Sequence, residues 1–399
     1  MNPDIHRPAY LTAAEPWFGQ SVIKVLVGMR RSGKSVLLRQ IAARHIEQRS
    51  AAQHVHLFDM ERMANAELRT AEALYARLRD EPAGVLLIDE VQEVEGWERL
   101  VASLSGEGWD VWLTGSNAHL LSSELATLLT GRYVEIRVFP LSLVEFRAFR
   151  PPDTTERDDL DLYLRWGGLP GLHALDLRDE LSREYLRAVF ESVLLKDVVA
   201  RFGVRNVPLL ERLTRFVAAS VGSPLSALSI VRFLKSQRQA VTVETVQGYL
   251  SHLESALLIH GVRRWDIRGK RHIESADKYY LGDTGLFCAL LDRPGDINAV
   301  LENLVFLELL RRGYRVSVGR IGDFEIDFVG ERGGETVYVQ VAYLLADPST
   351  VERELRPLRA VADHHMKLLL TMDQHPVTFE DGVRHLSLAA FFLGAPLGR

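Results

Sequence analysis

Cysteine is almost absent from this sequence: Cys288 stands alone among 399 residues. A single thiol excludes an internal disulfide framework and a zinc site built on several cysteines. A reducing, cytoplasmic setting is the simplest one for such a chain. Cys288 lies in the apolar run Leu286-Phe-Cys-Ala-Leu and reads as a core residue. Long hydrophobic runs are also missing. None approaches the roughly 18–20 residues that span a bilayer, so no membrane is expected as a partner. The first residues, MNPDIHRPAYLTAAEPWFG, have acids and no long apolar segment, unlike a signal peptide. Excess positive charge is lacking as well: the net charge is −5 and the pI about 6.3. Nucleic acid therefore exerts no global pull, and any contact with it must come from a local patch. His54, His56, His364 and His365 have no Cys/His/acid spacing around them that would suit zinc, and they read as structural or solvated.

What remains is an ordinary folded composition, 47% hydrophobic and 25% charged, without repeats or low-complexity tracts. The length suits about two to four domains. Short apolar runs without alternation (Val22 to Val27, HVHLF at 54–58, GVLLI at 84–88 and DVWLT soon after) alternate with helical patterns. Such runs suit strands buried on both faces of a parallel sheet, and the alternation predicts a doubly wound α/β domain over 1–150. Residues 151–220 read as a helical connector. Over 221–295, two amphipathic helices (Ser226 to Lys235, Thr242 to Leu258) and a basic ribbon predict a winged-helix-like domain. From 296 to 399, a helix (Ala299 to Arg312) and short strands at 314–318, 324–329, 336–342 and Lys367 to Thr371 predict a second α/β domain.

The strongest motif is Gly28-Met-Arg-Arg-Ser-Gly33-Lys34-Ser35, between a strand and a helix. It fits G-x-x-x-x-G-K-[ST]: glycines let backbone N–H groups wrap phosphate oxygens, and the helix N-terminus adds its dipole. The expected nucleotide-binding set is Gly28, Arg30, Arg31, Ser32, Gly33, Lys34, Ser35 and Val36, with ATP as ligand. Lys34 should reach the β- and γ-phosphates, and Ser35 should ligate Mg²⁺. About fifty residues on, an apolar strand ends in Asp89-Glu90. Asp89 is the expected second Mg²⁺ residue, and Glu90 the expected base for the attacking water. The next buried strand ends in Thr114-Gly115-Ser116-Asn117, where a polar residue can sense the γ-phosphate; Asn117 is the expected one. Arg132, after that strand, is the expected cationic finger, from this subunit or a neighbour.

GMRRSGKS, LLIDEVQEVEGWE, LTGSNAHLLSSELATLLTGRY and FPLSLVEF, in this order, resemble a large group of bacterial and archaeal AAA-type ATPases. The resemblance extends over nearly the whole chain, through Leu195-Lys196-Asp197, Asp283-Thr-Gly285, Glu302-Asn303, Glu325-Ile-Asp327 and Gln340-Val341-Ala342. It implies a C-terminal domain of unknown function with a restriction-endonuclease-like fold. Glu302, Asp327 and Gln340-x-Ala342 have the spacing of an Asp…Glu-x-Lys nuclease core. There Gln340 replaces the second metal-binding acid and Ala342 replaces the lysine. A neutral amide is a weaker Mg²⁺ ligand and alanine stabilises no charge, so cleavage is not expected.

In the ribbon, Arg263, Arg264, Arg268, Lys270 and Arg271 are candidate DNA-binding residues, with Trp265 and His272 interleaved. The sequence thus predicts a homo-oligomeric Mg²⁺-dependent ATP hydrolase, with a ring as one candidate assembly, that acts on or is recruited to DNA, branched DNA among the candidate forms. Two alternatives stay open: a nucleotide-controlled switch that binds protein partners, and an ATP-gated nuclease.

Overall fold

The computed structural model describes residues 6–48, 54–116, 132–293, 295–377, 379 and 381–397. They form two compact units, residues 1–140 with 255–257 and residues 141–254 with 258–399.

The first unit is built on β1 (Ile23–Val27), β2 (Val55–Asp59), β3 (Val85–Asp89), β4 (Asp110–Gly115) and β5 (Tyr133–Arg137), in the order β2-β3-β4-β1-β5. Every neighbouring pair is parallel. Their apolar runs have no polar side because both faces are covered. Ile23, Val25, Val27, Leu86, Ile88, Val111 and Leu113 pack with Leu74, Trp97, Leu100 and Leu104 on one face. Leu26, Val85, Leu87 and Trp112 pack with Leu37, Leu38 and Ile41 of the helix Lys34–Gln48 on the other. Each such fully buried aliphatic contributes about 1.5–3 kcal/mol. One charge interrupts the second face: Lys24 is buried and paired with Asp110 on the neighbouring strand. Because the strands run in parallel, their C-terminal ends, at Val27, Asp59, Asp89 and Gly115, lie along one edge of the sheet, where ligands bind in such folds.

The second unit begins with helices. Glu156–Trp166, Asp179–Ser192 and Val207–Ala219 bury one stripe each, and a π-helical stretch, Val193–Ala200, extends the second. An eight-stranded sheet follows, ordered β13-β12-β11-β10-β9-β7-β8-β6. Its strands are β6 (Pro224–Leu225), β7 (Ile259–Asp266), β8 (Arg271–Leu281), β9 (Arg315–Ile321), β10 (Phe324–Arg332), β11 (Glu335–Val341), β12 (Met366–Thr371) and β13 (Val383–Ser387). The helices Ala227–Ser236 and Val243–Ser255 precede the β7–β8 hairpin, as the amphipathic pattern predicts. The hairpin is not a free-standing ribbon: Arg264, Trp265 and Asp266 of β7 pair in parallel with Val318, Gly319 and Arg320 of β9. Strands β9, β10 and β11 form an antiparallel meander, and β11, β12 and β13 are parallel, with the helix Pro348–Arg359 crossing between β11 and β12.

Candidate functional site

The phosphate loop follows β1 directly. Gly28 has no room for a side chain: a Cβ there would stand 2.1 Å from the Val138 carbonyl oxygen. Gly33 has a φ of 97° and Arg31 one of 70°, so the loop curls through the left-handed region before the helix starts at Lys34. The Lys34 ammonium lies inside this curl, donating to the carbonyls of Gly28 at 2.9 Å and Met29 at 3.3 Å. The buried Ser32 hydroxyl has no hydrogen-bond partner among the described residues. A buried hydroxyl donor and an ammonium turned into the loop suit a site made for phosphate oxygens. Arg30 pairs with Glu61 at 2.9 Å, while Arg31 is exposed; Val36 lies in the first turn of the helix.

The ends of β3 and β4 supply the acids. The Thr114 hydroxyl donates to Asp89 Oδ1 at 2.5 Å and accepts from the Glu90 N–H at 2.9 Å. The Ser35 hydroxyl also bonds Asp89. Burial raises the Asp89 pKa, opposed by those two hydroxyls. A hydroxyl and a carboxylate brought together in this way form an oxygen donor set that fits Mg²⁺. Glu90 has a φ of 55°, a left-handed backbone that costs a non-glycine residue about 1–3 kcal/mol and collects at functional sites. Its carboxylate accepts from Gln92 and lies 3.8 Å from the Lys34 ammonium.

Sequence motifs thus bring Lys34, Ser35, Asp89, Glu90 and Thr114 together. Asn117 lies outside the described residues. Arg132 is placed differently from the cis role left open for it. Its carbonyl accepts from the Ile23 N–H, at the start of β1, and Tyr133 stands in register with Ile23. The phosphate loop leaves the other end of that five-residue strand, about 16 Å away at roughly 3.3 Å per residue. Arg132 is therefore on the far edge of its own sheet. Arg7 also belongs to the site, although nothing local in the sequence marks it. It is 4% exposed, and its guanidinium donates to the carbonyls of Ser32 at 3.1 Å and Phe139 at 3.0 Å, bracing the phosphate loop from behind.

In the second unit, Arg263, Arg268, Lys270 and Arg271 are exposed on the hairpin. Arg264 departs from the expected set: it is turned to Glu325 at 3.0 Å, its side chain 14% exposed. Glu302 and Asp327 both lie beside Lys278, which in the sequence is one more cation of the ribbon. The Lys278 ammonium lies 3.0 Å from Glu302 and 3.9 Å from Asp327. Asp327 accepts from the Val341 N–H at 2.9 Å, and burial together with Glu302 pushes its pKa upward. Gln340 is engaged at both ends: its oxygen accepts from the Asp327 N–H at 3.4 Å, and its amide donates to Glu354 at 3.1 Å. Asn303, beside Glu302, is fully buried and clips the main chain of Leu281 through both amide atoms. Among the described residues no helix is long and apolar enough to cross a membrane.

A phosphate loop after the first strand of a five-stranded parallel sheet, with Asp-Glu closing β3 one strand removed across β4, defines an AAA-type P-loop ATPase domain. Residues 20–147 match the family described as an AAA domain, and residues 157–296 match a domain of unknown function, DUF8612. The unknown-function match thus falls on the helical and hairpin region, not on 297–399 as the resemblance implied. An uncharacterized protein of Haemophilus influenzae is 35% identical over 399 residues, 98% of each chain. An uncharacterized protein of Methanocaldococcus jannaschii is 30% identical over 350 residues, 84% of this chain and 77% of that one. The chain belongs to the same family as these two proteins, a family of AAA-type P-loop ATPases. A Walker-type ATPase of Pyrococcus abyssi shares the fold, with a TM-score of 0.53 over 72% of this chain and 96% of that one, at 16% identity.

Proposed function

We propose that this protein is a Mg²⁺-dependent ATP hydrolase that works on DNA. The observation that carries the hydrolytic part is the Asp89–Thr114–Glu90 bridge beside Lys34, which fixes two carboxylates with different tasks at the mouth of the phosphate loop. Lys34 and the loop amides bind the phosphates, and Ser35 and Asp89 hold the metal. Bound Mg²⁺–ATP supplies the electrophilic γ-phosphoryl group and offsets its charge. Glu90 orients the attacking water and accepts its proton, with Gln92 fixing which carboxylate oxygen is available. Thr114 keeps the two acids in register. Arg132 serves a neighbouring copy's site; its place at the far edge of the sheet supports a trans role and hence a homo-oligomer.

The DNA part rests on the hairpin. Helix, helix and β-hairpin, with β6 paired to β8, support a winged-helix-like unit whose exposed Arg263, Arg268, Lys270 and Arg271 take phosphates. The helix Ile297–Arg311, the β9–β11 meander, a crossover helix and β12 support a restriction-endonuclease-like fold. The engaged Gln340 amide and Ala342 support a fold retained for contact rather than cleavage.

The test is ATP turnover by the full chain beside Lys34→Ala and Glu90→Gln, with duplex, single-stranded and four-way-junction DNA. Stimulation by one DNA form, lost in both variants, is the expected result. Lys34-dependent turnover indifferent to every DNA sinks the DNA role and leaves a switch acting on protein partners.

A further inference from the structure

Lys278 is 3% exposed, and three carboxylates surround it: Glu302 at 3.0 Å, Glu325 at 2.9 Å and Asp327 at 3.9 Å. They come from the helix Ile297–Arg311 and from β10, while Lys278 comes from the middle of β8. Tyr280, two residues on and on the same face of β8, donates to the Glu302 oxygen that also accepts from Lys278, at 2.5 Å. Arg264 caps the other side of Glu325. We propose that the Lys278 ammonium is a built-in substitute for a divalent cation, filling the point on which Glu302, Glu325 and Asp327 converge, so that no metal ion enters there.

The distances decide between two roles for this lysine. A lysine that stabilises a scissile phosphate needs its ammonium free to meet that phosphate. Here the ammonium lies within hydrogen-bond distance of Glu302 and Glu325, and the three carboxylates around it raise its pKa despite burial. A Mg²⁺ or Mn²⁺ ion needs oxygens at about 2.0–2.2 Å around a central point, and the ammonium nitrogen stands at that point. Spread around the ammonium at 2.9 to 3.9 Å, the three acids stand wider than a metal shell, and among the described residues no group of three His, Cys, Asp or Glu is arranged to hold a metal. The substitution also has a structural effect. A diffusible ion would leave three buried acids uncompensated whenever it left, whereas a tethered ammonium cannot leave. The inference rests on the nuclease-like reading only for the choice of a divalent cation as probe. DNA cleavage by the unaltered chain tests that reading separately.

The experiment titrates Mn²⁺ alone into the full chain without nucleotide, by calorimetry and by thermal denaturation. Asp89→Asn serves as background, to silence the phosphate-loop site. That background protein is expected to take up no Mn²⁺. Adding Lys278→Met removes the ammonium and leaves three buried acids without their cation. This protein is expected to bind about one Mn²⁺ per chain and to melt a few degrees higher in its presence. Adding Asp327→Asn on top abolishes both effects. Stoichiometric Mn²⁺ binding by the background protein that Asp327→Asn removes overturns the proposal. So does a folded Lys278→Met protein that binds none. If Lys278→Met does not fold, the background titration with and without Asp327→Asn decides alone, and Lys278→Arg, which keeps the charge, is expected to stay metal-free.

Discussion

The guanidinium of Arg7 donates to the carbonyl of Ser32, reaching from the lead-in segment into the phosphate loop. Its second arm holds the Phe139 carbonyl, next to the Val138 carbonyl that crowds Gly28. The loop is therefore shaped from both sides before any nucleotide arrives. Arg7→Met removes both of these donations, at about 1–3 kcal/mol each. The expected outcome is a lower melting temperature and weaker nucleotide binding, read by denaturation and by titration with a fluorescent ATP analogue. Unchanged affinity in a folded Arg7→Met protein removes the bracing role.

Thr114→Val keeps the shape of the side chain and deletes the bridge between Asp89 and Glu90. Nucleotide binding is expected to change little. Turnover is expected to fall by roughly 10²-fold, the scale of a missing positioning or acid–base contribution. The hydroxyl lowers an Asp89 pKa that burial raises, so its removal moves that pKa further up. The acid limb of the pH–rate profile should shift to higher pH, and an unmoved limb with reduced turnover assigns Thr114 to Glu90 alone.

Two buried groups give the second unit opposite pH responses. Burial pushes the Asp283 carboxyl up to about 6, although the Gly168 and Gly285 N–H groups donate to it. The folded state holds that proton more tightly than the unfolded one. Its stabilisation is full below about pH 4 and is lost as pH rises through about 6. Burial, with Arg150, lowers His173 to about 4. Its contribution is present above about pH 6.5 and is lost as pH falls through about 4. Asp283→Asn cancels only the first effect. Melting curves from pH 4 to 7 should then show the variant losing stability on acidification more steeply than the unaltered chain; parallel curves refute the assignment.

The cations on the hairpin should separate by function. Replacing Arg263, Arg268, Lys270 or Arg271 with Ala is expected to weaken DNA binding. The plot of log affinity against log salt should flatten by about 0.9 for each phosphate that is no longer neutralised. Arg264→Ala instead takes away one of the two cations on Glu325 and leaves Lys278 as the other. It should lower the melting temperature and leave the salt slope alone. A slope change equal to that of its exposed neighbours returns Arg264 to the DNA-facing set.

Much of the first unit is legible in the sequence because its signals are local. Buried parallel strands announce themselves as apolar runs, and a phosphate loop is contiguous. Asp89, Glu90 and Thr114 end consecutive strands of that pattern, so reading strand ends finds all three. Arg132 shows the limit: its motif position says nothing about which edge of the sheet it occupies, and only the pairing of Tyr133 with Ile23 settles that. Lys278 is illegible for the same reason. In the chain it is one cation of a basic ribbon, and Glu302, Glu325 and Asp327 are 24 to 49 residues away. What joins them is the placement of β8 and β10 around one helix, a consequence of non-local pairing. Arg7 carries no motif at all, and its role exists only because the lead-in folds back onto the loop.

The parallel seam between β7 and β9 gives the hairpin a mechanical character. A pull along β7 loads the bonds at Arg264, Trp265 and Asp266 together, in shear, instead of opening them one at a time like a zip. The hairpin cannot swing as a flap on a hinge, and a displacement of its tip is passed to the eight strands as to a single plate. Stiffness, rather than reach, is what this hairpin contributes.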